Sequence, residues 1–428
     1  MKIAAHTLGC KLNFAESSHL VRQFVEAGFD VVDFAQKADV YIINTCTVTA
    51  VAEKKCRTAI RQAVRKGNGE AVVAVVGCFA QNAKHEVEAI EGVTLVLGND
   101  AKHRLYQYVR ELLNKRKVLL PQEDRADAEA FPLAYSSGDR TRSFLKVQDG
   151  CDYFCTYCAI PFARGRSRSA TVKEVVEAAR KIAAMGMKEI VLTGVNTGTF
   201  GLHTGESFME LIEALDDVEG IERYRISSIE PNLITDEIVR FVAGSRAFLP
   251  HFHIPLQAGS DKVLRLMHRH YDTALYEDKL ATIKSYMPDA CIAADVMAGF
   301  NGEDEEEFQK VCDFVETIPI SYLHVFTYSD RPNTAALKMG EKIPMRVRRE
   351  HSLRLHEISD RKRKAFYDSQ LGKSRSVLWE STLHEGMMQG WTDNYVRLQR
   401  PFDTNLVNSI TREEVSQSTL VYNFPLAD

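Results

Sequence analysis

The sequence predicts an α/β protein in three parts: a Rossmann-like parallel sheet, a partial (β/α) barrel, and a small all-β barrel at the C-terminus. Three observations carry this expectation. Short apolar runs alternate with amphipathic helical segments from the start to about residue 115, and again from about residue 143, as in parallel sheets covered by helices. Between these regions, residues 121–142 lose periodicity and gain charge, proline and glycine, as a linker or covering loop does. After Gly372 the helical period gives way to short strand-like runs separated by turn residues. The expected divisions are therefore 1–118, a linker over 119–142, 143–370 and 371–428.

In the first part the strand candidates are KIAAHTL, VYIIN, AVVAVV and VTLVL, with helical stretches such as SSHLVRQFVEAG between them. In the second they are SFLKVQ, EIVLTG, RYRISS, HFHIPL, CIAADVM and YLHVFTY. Six strand–helix units fall short of the eight that close a barrel, so an incomplete one is expected. A charged helix from 346 to about 368 follows, and then SRSVLWE, NYVRLQR and STLVYNF as the strands of the small barrel.

With 428 residues, 45% hydrophobic and 26% charged, the chain can bury several cores. A net charge of −4 does not advertise nucleic acid, so contact with a polyanion has to come from a local basic patch. The opening MKIAAHTLGC lacks a secretory apolar core, and no apolar run reaches membrane-spanning length. Nine dispersed cysteines, an odd number, fit a reducing compartment with thiolates kept for metal. The expectation is a cytoplasmic protein with no membrane partner.

The stretch DGCDYFCTYC places Cys151, Cys155 and Cys158 in a C-x3-C-x2-C spacing directly after the first barrel strand. Barrel active sites lie at that end of the strands. No fourth cysteine or histidine lies within ten residues, whereas a closed zinc or ferredoxin-type site takes four ligands. Three thiolates on a cubane leave one iron open for a substrate or cofactor. The competing reading is a zinc site completed by a distant histidine.

The first part repeats the pattern differently. Cys10, Cys46 and Cys78 each close a predicted strand of one parallel sheet. Ligands of open α/β sheets gather outside the carboxyl ends of the strands, so the three thiols are expected to converge on a second open cluster. Helix N-termini there are expected to lower the thiolate pKa values. The competing reading is three small buried hydrophobes. Cys56, Cys291 and Cys312 lie on helical or buried-strand patterns and are assigned to packing.

The C-x3-C-x2-C motif with Tyr157 before its last cysteine resembles the radical S-adenosylmethionine (SAM) enzymes. Both cysteine sets, GCDYFCTYCAIPFARGRSRS, and the terminal VLWE…GMMQGWTDNYVRL together resemble the methylthiotransferases of that superfamily over essentially the whole chain. The resemblance implies two 4Fe–4S clusters and SAM as radical source and methyl donor. It makes all six cysteines, Cys10, Cys46, Cys78, Cys151, Cys155 and Cys158, catalytic metal ligands. It implies a SAM pocket from Tyr157 and the strand-end loops LTGVNTG, SSIEPN, HIPLQAGS and DVMAGFNGE. In those loops Gly194, Asn196, Ser228, Glu230, Gln257 and Gly299 are the candidates. The last segment resembles the TRAM domain, a small β-barrel that holds RNA.

The opening TLGCKLNFAES resembles the branch acting on N6-threonylcarbamoyladenosine next to the tRNA anticodon. The implied function is transfer of a methylthio group to C2 of that base in a tRNA anticodon loop. It calls for an electron donor such as a flavodoxin or ferredoxin and for a sulfur donor. The alternatives are isopentenyladenosine in tRNA and an aspartate of a ribosomal protein. Ala258, Asn301, Asp304 and Asn333 depart from the family pattern. A cobalamin-dependent radical enzyme is disfavoured because the first part has no D-x-H-x-x-G. Local charge adds to the RNA reading. Residues 346–375 hold ten Lys or Arg against four Asp or Glu. Arg164, Arg166 and Arg168 follow the cysteine loop, and WTDNYVRLQR mixes arginine with aromatics.

Overall fold

The computed structural model describes residues 1–114, 131–137, 141–339 and 341–422. Residues 119–130 and 138–140 of the expected linker lie outside the described residues.

The first unit runs β1 (Lys2–Thr7), α1 (Lys11–Glu26), β2 (Asp30–Val31), β3 (Val40–Thr45), α2 (Ala50–Gly67) and β4 (Val72–Gly77). It finishes with α3 (Cys78–Asn82), α4 (Lys84–Glu88), β5 (Leu95–Leu97) and α5 (Leu105–Leu113). Its parallel sheet has the order β2-β1-β3-β4-β5. β3 and β4 are buried at every residue, as central parallel strands covered on both faces must be. The edge strand β2 went unread because its two exposed residues carry no apolar run. This order reverses direction between β1 and β3, and the crevice at such a switch point is where ligands bind. Cys10 and Cys46 follow those two strands.

The second unit opens with β6 (Ala134–Tyr135), β7 (Arg142–Lys146), β8 (Gln148–Asp149), α6 (Ile160–Arg164), β9 (Arg168–Ser169), α7 (Val172–Ala184) and β10 (Glu189–Thr193). It continues with α8 (Phe208–Asp216), β11 (Arg223–Ile226), α9 (Asp236–Gly244) and β12 (His251–His253). The last elements are α10 (Asp261–Leu266), α11 (Thr273–Tyr286), β13 (Cys291–Ala298), α12 (Glu305–Thr317) and β14 (Tyr322–Thr327). Sheets β6-β7-β10-β11 and β12-β13-β14 meet through bridges Tyr224–Phe248 and Ser228–His253. The result is a partial barrel, parallel except for the β6–β7 pair.

The first unit straddles the open side of that barrel. On one edge Phe14 of α1 meets Phe144 of β7 edge-on, with ring centroids 5.6 Å apart. There Arg22 also donates to Ser137 Oγ at 2.7 Å and Tyr135 O at 3.1 Å. On the other edge, beyond β14, Arg331 pairs with Glu53 at 2.8 Å and the amide of Ala50 donates to Ser329 Oγ.

Helix α13 (Met345–Asp368) packs on β13, β14 and α12. A curled antiparallel sheet follows, built from β15 (Ser374–His384), β16 (Met387–Thr392), β17 (Arg397–Pro401) and β18 (Ile410–Glu414), in the order β17-β16-β15-β18. Its strands differ in part from expectation. STLVYNF makes only an isolated bridge, Leu398–Leu420, and residues 423–424 lie outside the described residues. Strand β16 is not legible in the sequence because Gly390 interrupts MMQGWT and only Thr392 in it is β-branched. The sheet docks on the barrel wall. Arg223 donates to Trp391 O, and Arg225 to Thr392 O and Asp393 O, at 2.8–3.0 Å.

Candidate functional site

The Cys151–Cys158 loop is held from both sides by backbone bonds. The Cys151 amide donates to Gly165 O, the Thr156 amide to Met267 O, and the Cys158 amide to Cys155 O, all at 3.0–3.1 Å. Gly150 makes the loop possible. Its φ is +71°, and a Cβ there would lie 1.9 Å from Arg166 O. A side chain in this left-handed backbone costs about 1–2 kcal/mol before any clash. Gly150→Ala is therefore expected to displace the loop and lower the iron bound there, measured as iron per chain after anaerobic reconstitution. Iron content equal to wild type would show that the loop tolerates the shift.

Cys155 lies near enough to Cys151 and Cys158 that its ionised sulfur opposes ionisation of both. Burial, joined by these neighbours, pushes Cys151 up to about 11 and Cys158 up to about 12. The side chain that counters this is Arg269, which donates to Cys155 Sγ at 3.0 Å and to the Tyr157 hydroxyl at 3.4 Å. The same guanidinium pairs with Glu230. Burial raises the Glu230 carboxyl and Arg269 opposes that rise. Arg269 was not picked from the sequence, where it reads as one more charge in MHRHYD.

The structure brings some of the expected SAM residues together and gives others a different reason. The Glu230 amide donates to Asn196 Oδ1 at 3.4 Å. Nδ2 of Asn196 is buried with no hydrogen-bond partner among the described residues. Ser228 O accepts from the Thr197 amide at 3.0 Å, which ties the loops after β10 and β11. Gly194 leaves room for Gln148, whose Oε1 would be 2.9 Å from a Cβ there. That oxygen accepts from the amides of Val195 and Asn196. Gln257 adopts φ +67° and bonds Asp295 O through its amide. Gly299 also packs closely, since a Cβ there would lie 2.3 Å from Arg348 Cγ.

The second thiol set converges at the switch point. Cys10 is exposed and caps α1 in extended backbone, while Cys46 and Cys78 are buried. Gly9, at φ +104°, lets the Cys46 thiol approach, as a Cβ there would be 3.0 Å from Cys46 Sγ. Cys56, assigned to packing, also holds the end of β3: the Cys46 amide donates to its sulfur at 3.3 Å. The expected lowering of thiolate pKa does not hold for Cys46. Burial, with Cys78, Cys10 and Cys56 adding, pushes it up to about 12. A bound cation then has to displace the proton, as metal ligation does.

The two sets are neighbours. Cys78 opens α3, which packs on α6, the helix just beyond Cys158. Asn99 Nδ2 ties Cys78 to α6, donating to Cys78 Sγ at 3.6 Å and to Ala163 O at 2.6 Å. Each set offers three soft thiolate donors in one patch of the fold. That donor chemistry fits an iron–sulfur cluster with one iron left open.

Much of the charge expected to face RNA is committed within the protein. Arg164 is buried among Glu16, Asp149 and Asn13, and Arg168 pairs with Asp149. Of the three arginines only Arg166 is exposed, with 80% of its side chain open. In α13, Arg348 is buried, Arg361 pairs with Glu316, and Lys362 caps carbonyls of residues 316 and 318. Trp391 and Tyr395 stack on each other with centroids 4.4 Å apart. Tyr395 also lies over His251 of the barrel. These aromatics serve the docking of the sheet.

The family model described as Uncharacterized protein family UPF0004 matches residues 2–98, and that of the Radical SAM superfamily matches residues 145–315. The chain is 37% identical to the threonylcarbamoyladenosine tRNA methylthiotransferase MtaB of Bacillus subtilis, over 98% of this chain and 95% of that one. Identity to the protein of the same name from Aquifex aeolicus is 38%, over 94% and 97%. The tRNA-2-methylthio-N(6)-dimethylallyladenosine synthase of Acetivibrio thermocellus is 30% identical, over 96% and 88%. Among solved structures, the radical SAM methyltransferase TsrM of Kitasatospora setae superposes with a TM-score of 0.58 at 14% identity, over 76% and 72% of the two chains.

Proposed function

This chain belongs to the tRNA methylthiotransferases of the radical SAM superfamily, and from that premise we propose that it adds a methylthio group to C2 of N6-threonylcarbamoyladenosine next to the tRNA anticodon. The observation that carries the reading is the placing of two three-thiol sets on either side of the α3–α6 contact, where Asn99 ties Cys78 to α6. Membership of the superfamily brings SAM and a 4Fe–4S cluster, which Cys151, Cys155 and Cys158 would hold. Cys10, Cys46 and Cys78 would hold a second cluster. When bound, these groups supply the radical that takes hydrogen from the base and the sulfur that replaces it.

The chain's own residues then position and insulate. Arg269 sets a cation beside Cys155 and fixes Glu230. The unpartnered Asn196 Nδ2 and the Glu230 carboxylate would bind the amino-acid end of SAM. The first unit covers the open side of the barrel and keeps water from the reacting atoms. No helix among the described residues is long and apolar enough to cross a membrane. The reading includes a cytoplasmic setting, an electron donor of flavodoxin or ferredoxin type and a separate sulfur donor. It also takes 1–118 as the second-cluster unit, 143–370 as the SAM unit and 371–428 as the RNA-holding unit.

The test is an anaerobic turnover of reconstituted enzyme with reductant and SAM. One tRNA carries threonylcarbamoyladenosine, another isopentenyladenosine, and the digested nucleosides are weighed by mass spectrometry. A methylthio mass gain on the first alone is expected. A gain on the second alone would overturn the substrate while leaving the chemistry. SAM cleavage with no gain on either would point away from tRNA.

A further inference from the structure

A cavity of about 290 Å³ lies between the exposed thiol of the second set and the barrel interior, a size that suits one small chemical group. We propose that this chamber, with Cys10 at its mouth and Lys11, Arg142, Arg225, His251 and Tyr395 in its wall, receives the carboxylate-bearing substituent on N6 of the target base, and that Lys11 determines specificity for it.

The polar groups of the wall are not equivalent. Arg225 is committed to Glu189 at 2.8 Å and to carbonyls of the docked sheet. Arg142 is committed to Glu380 at 3.1 Å. Lys11 has no carboxylate within ion-pair reach among the described residues, although its charge is felt by His251, Asp295 and Tyr395. Asp295, which pairs with His253 at 2.7 Å and has His324 beside it, lies outside this wall.

The second sign is His251. It is 5% exposed, and neither ring nitrogen has a hydrogen-bond partner among the described residues. Burial and the nearby cations hold it neutral, so it offers one N–H and one lone pair. Buried polar atoms left unpaired are costly, so the chamber is built for a guest that pairs them. A threonylcarbamoyl group carries a carboxylate for Lys11, and a hydroxyl and a urea for His251. An apolar isopentenyl group would leave all of these unmet. Sites of this kind reject the analogue that lacks the polar group.

The inference rests on the proposed function, and its test separates the two. Cluster-loaded full-length enzyme is given anticodon stem–loop RNAs bearing threonylcarbamoyladenosine, with the carboxylate either free or capped as the methyl amide. Binding is followed by fluorescence anisotropy, and kcat/KM from methylthio product. Wild type is expected to favour the free carboxylate by on the order of 10–100-fold, the worth of one hydrogen bond to a charged group. Lys11→Met and Lys11→Gln should each bring that ratio near one, and Lys11→Arg should keep it. The two neutral variants differ in shape, so a defect in one leaves the other to read. A ratio unchanged in the neutral variants, or wild type indifferent to the cap, would overturn the role of Lys11 while the function stands. Absence of product on the free-carboxylate RNA in wild type would instead overturn the function.

Discussion

Glu16→Gln is expected to lower stability by about 3–5 kcal/mol, because it removes one side of a buried charge network. Glu16 accepts from Lys102 at 2.5 Å, Lys146 at 2.9 Å and Arg164 at 3.2 Å. Asp149 pairs with Lys146, Arg164 and Arg168. Four cations thus face two carboxylates, and the excess positive charge lies beside Cys78 and Cys10, where thiolates on a cluster would balance it. Burial even lowers the Lys102 ammonium, against the pull of Glu16. Taking away one carboxylate leaves four desolvated cations on Asp149 alone. The sign of the acid response follows. The cations hold the Glu16 carboxyl far below its ordinary 4.5. Its contribution is therefore complete above that value and is lost as pH falls below it toward the depressed one. Urea midpoints measured from pH 7 down to pH 3 should fall more steeply for wild type than for Glu16→Gln. Parallel curves would mean that the network carries little of the stability.

The same residues show what could be read in advance. Strand and helix alternation made the parallel sheet and the partial barrel legible, because apolar runs of the right length are local signals. The two cysteine sets could be singled out because the chemical type and spacing that metal ligation needs are written along the chain. Charge is different. Arg164 and Glu16 are 148 positions apart, and nothing near either of them says that they meet away from water. The same holds for Arg225, which meets a sheet 168 residues later, and for WTDNYVRLQR, whose rings face inward onto the barrel. Basic and aromatic composition reports what a surface could do only after tertiary contacts have taken their share. His251 and Lys11 went unremarked for that reason: one becomes unpartnered, and the other uncommitted, only once the wall around them is assembled.

Cys155→Ala and Cys46→Ala are expected to separate the two thiol sets by activity. Cys155 belongs to the loop where Arg269 and Glu230 converge, so its loss should bring 5′-deoxyadenosine formation from SAM to background. That loss should exceed the roughly 10–100-fold typical of removing a residue that only supports a metal ligand. Cys46 lies across the α3–α6 contact, at the end of β3 and held by Cys56. Its replacement leaves the loop and its Arg269 contact untouched. SAM cleavage should therefore persist in Cys46→Ala while methylthio product disappears, and each variant should keep about half the wild-type iron, since each set would hold one of two equal clusters. The halving matters as much as the rates. If Cys46→Ala kept full iron and full product, the buried thiol, its raised pKa and its place at the switch point would belong to packing, and the chain would work with one cluster. If it lost SAM cleavage as well, Asn99 and the Glu16 network would have to transmit the damage across α6. A Glu16→Gln enzyme with intact iron but reduced SAM cleavage would then be the matching result.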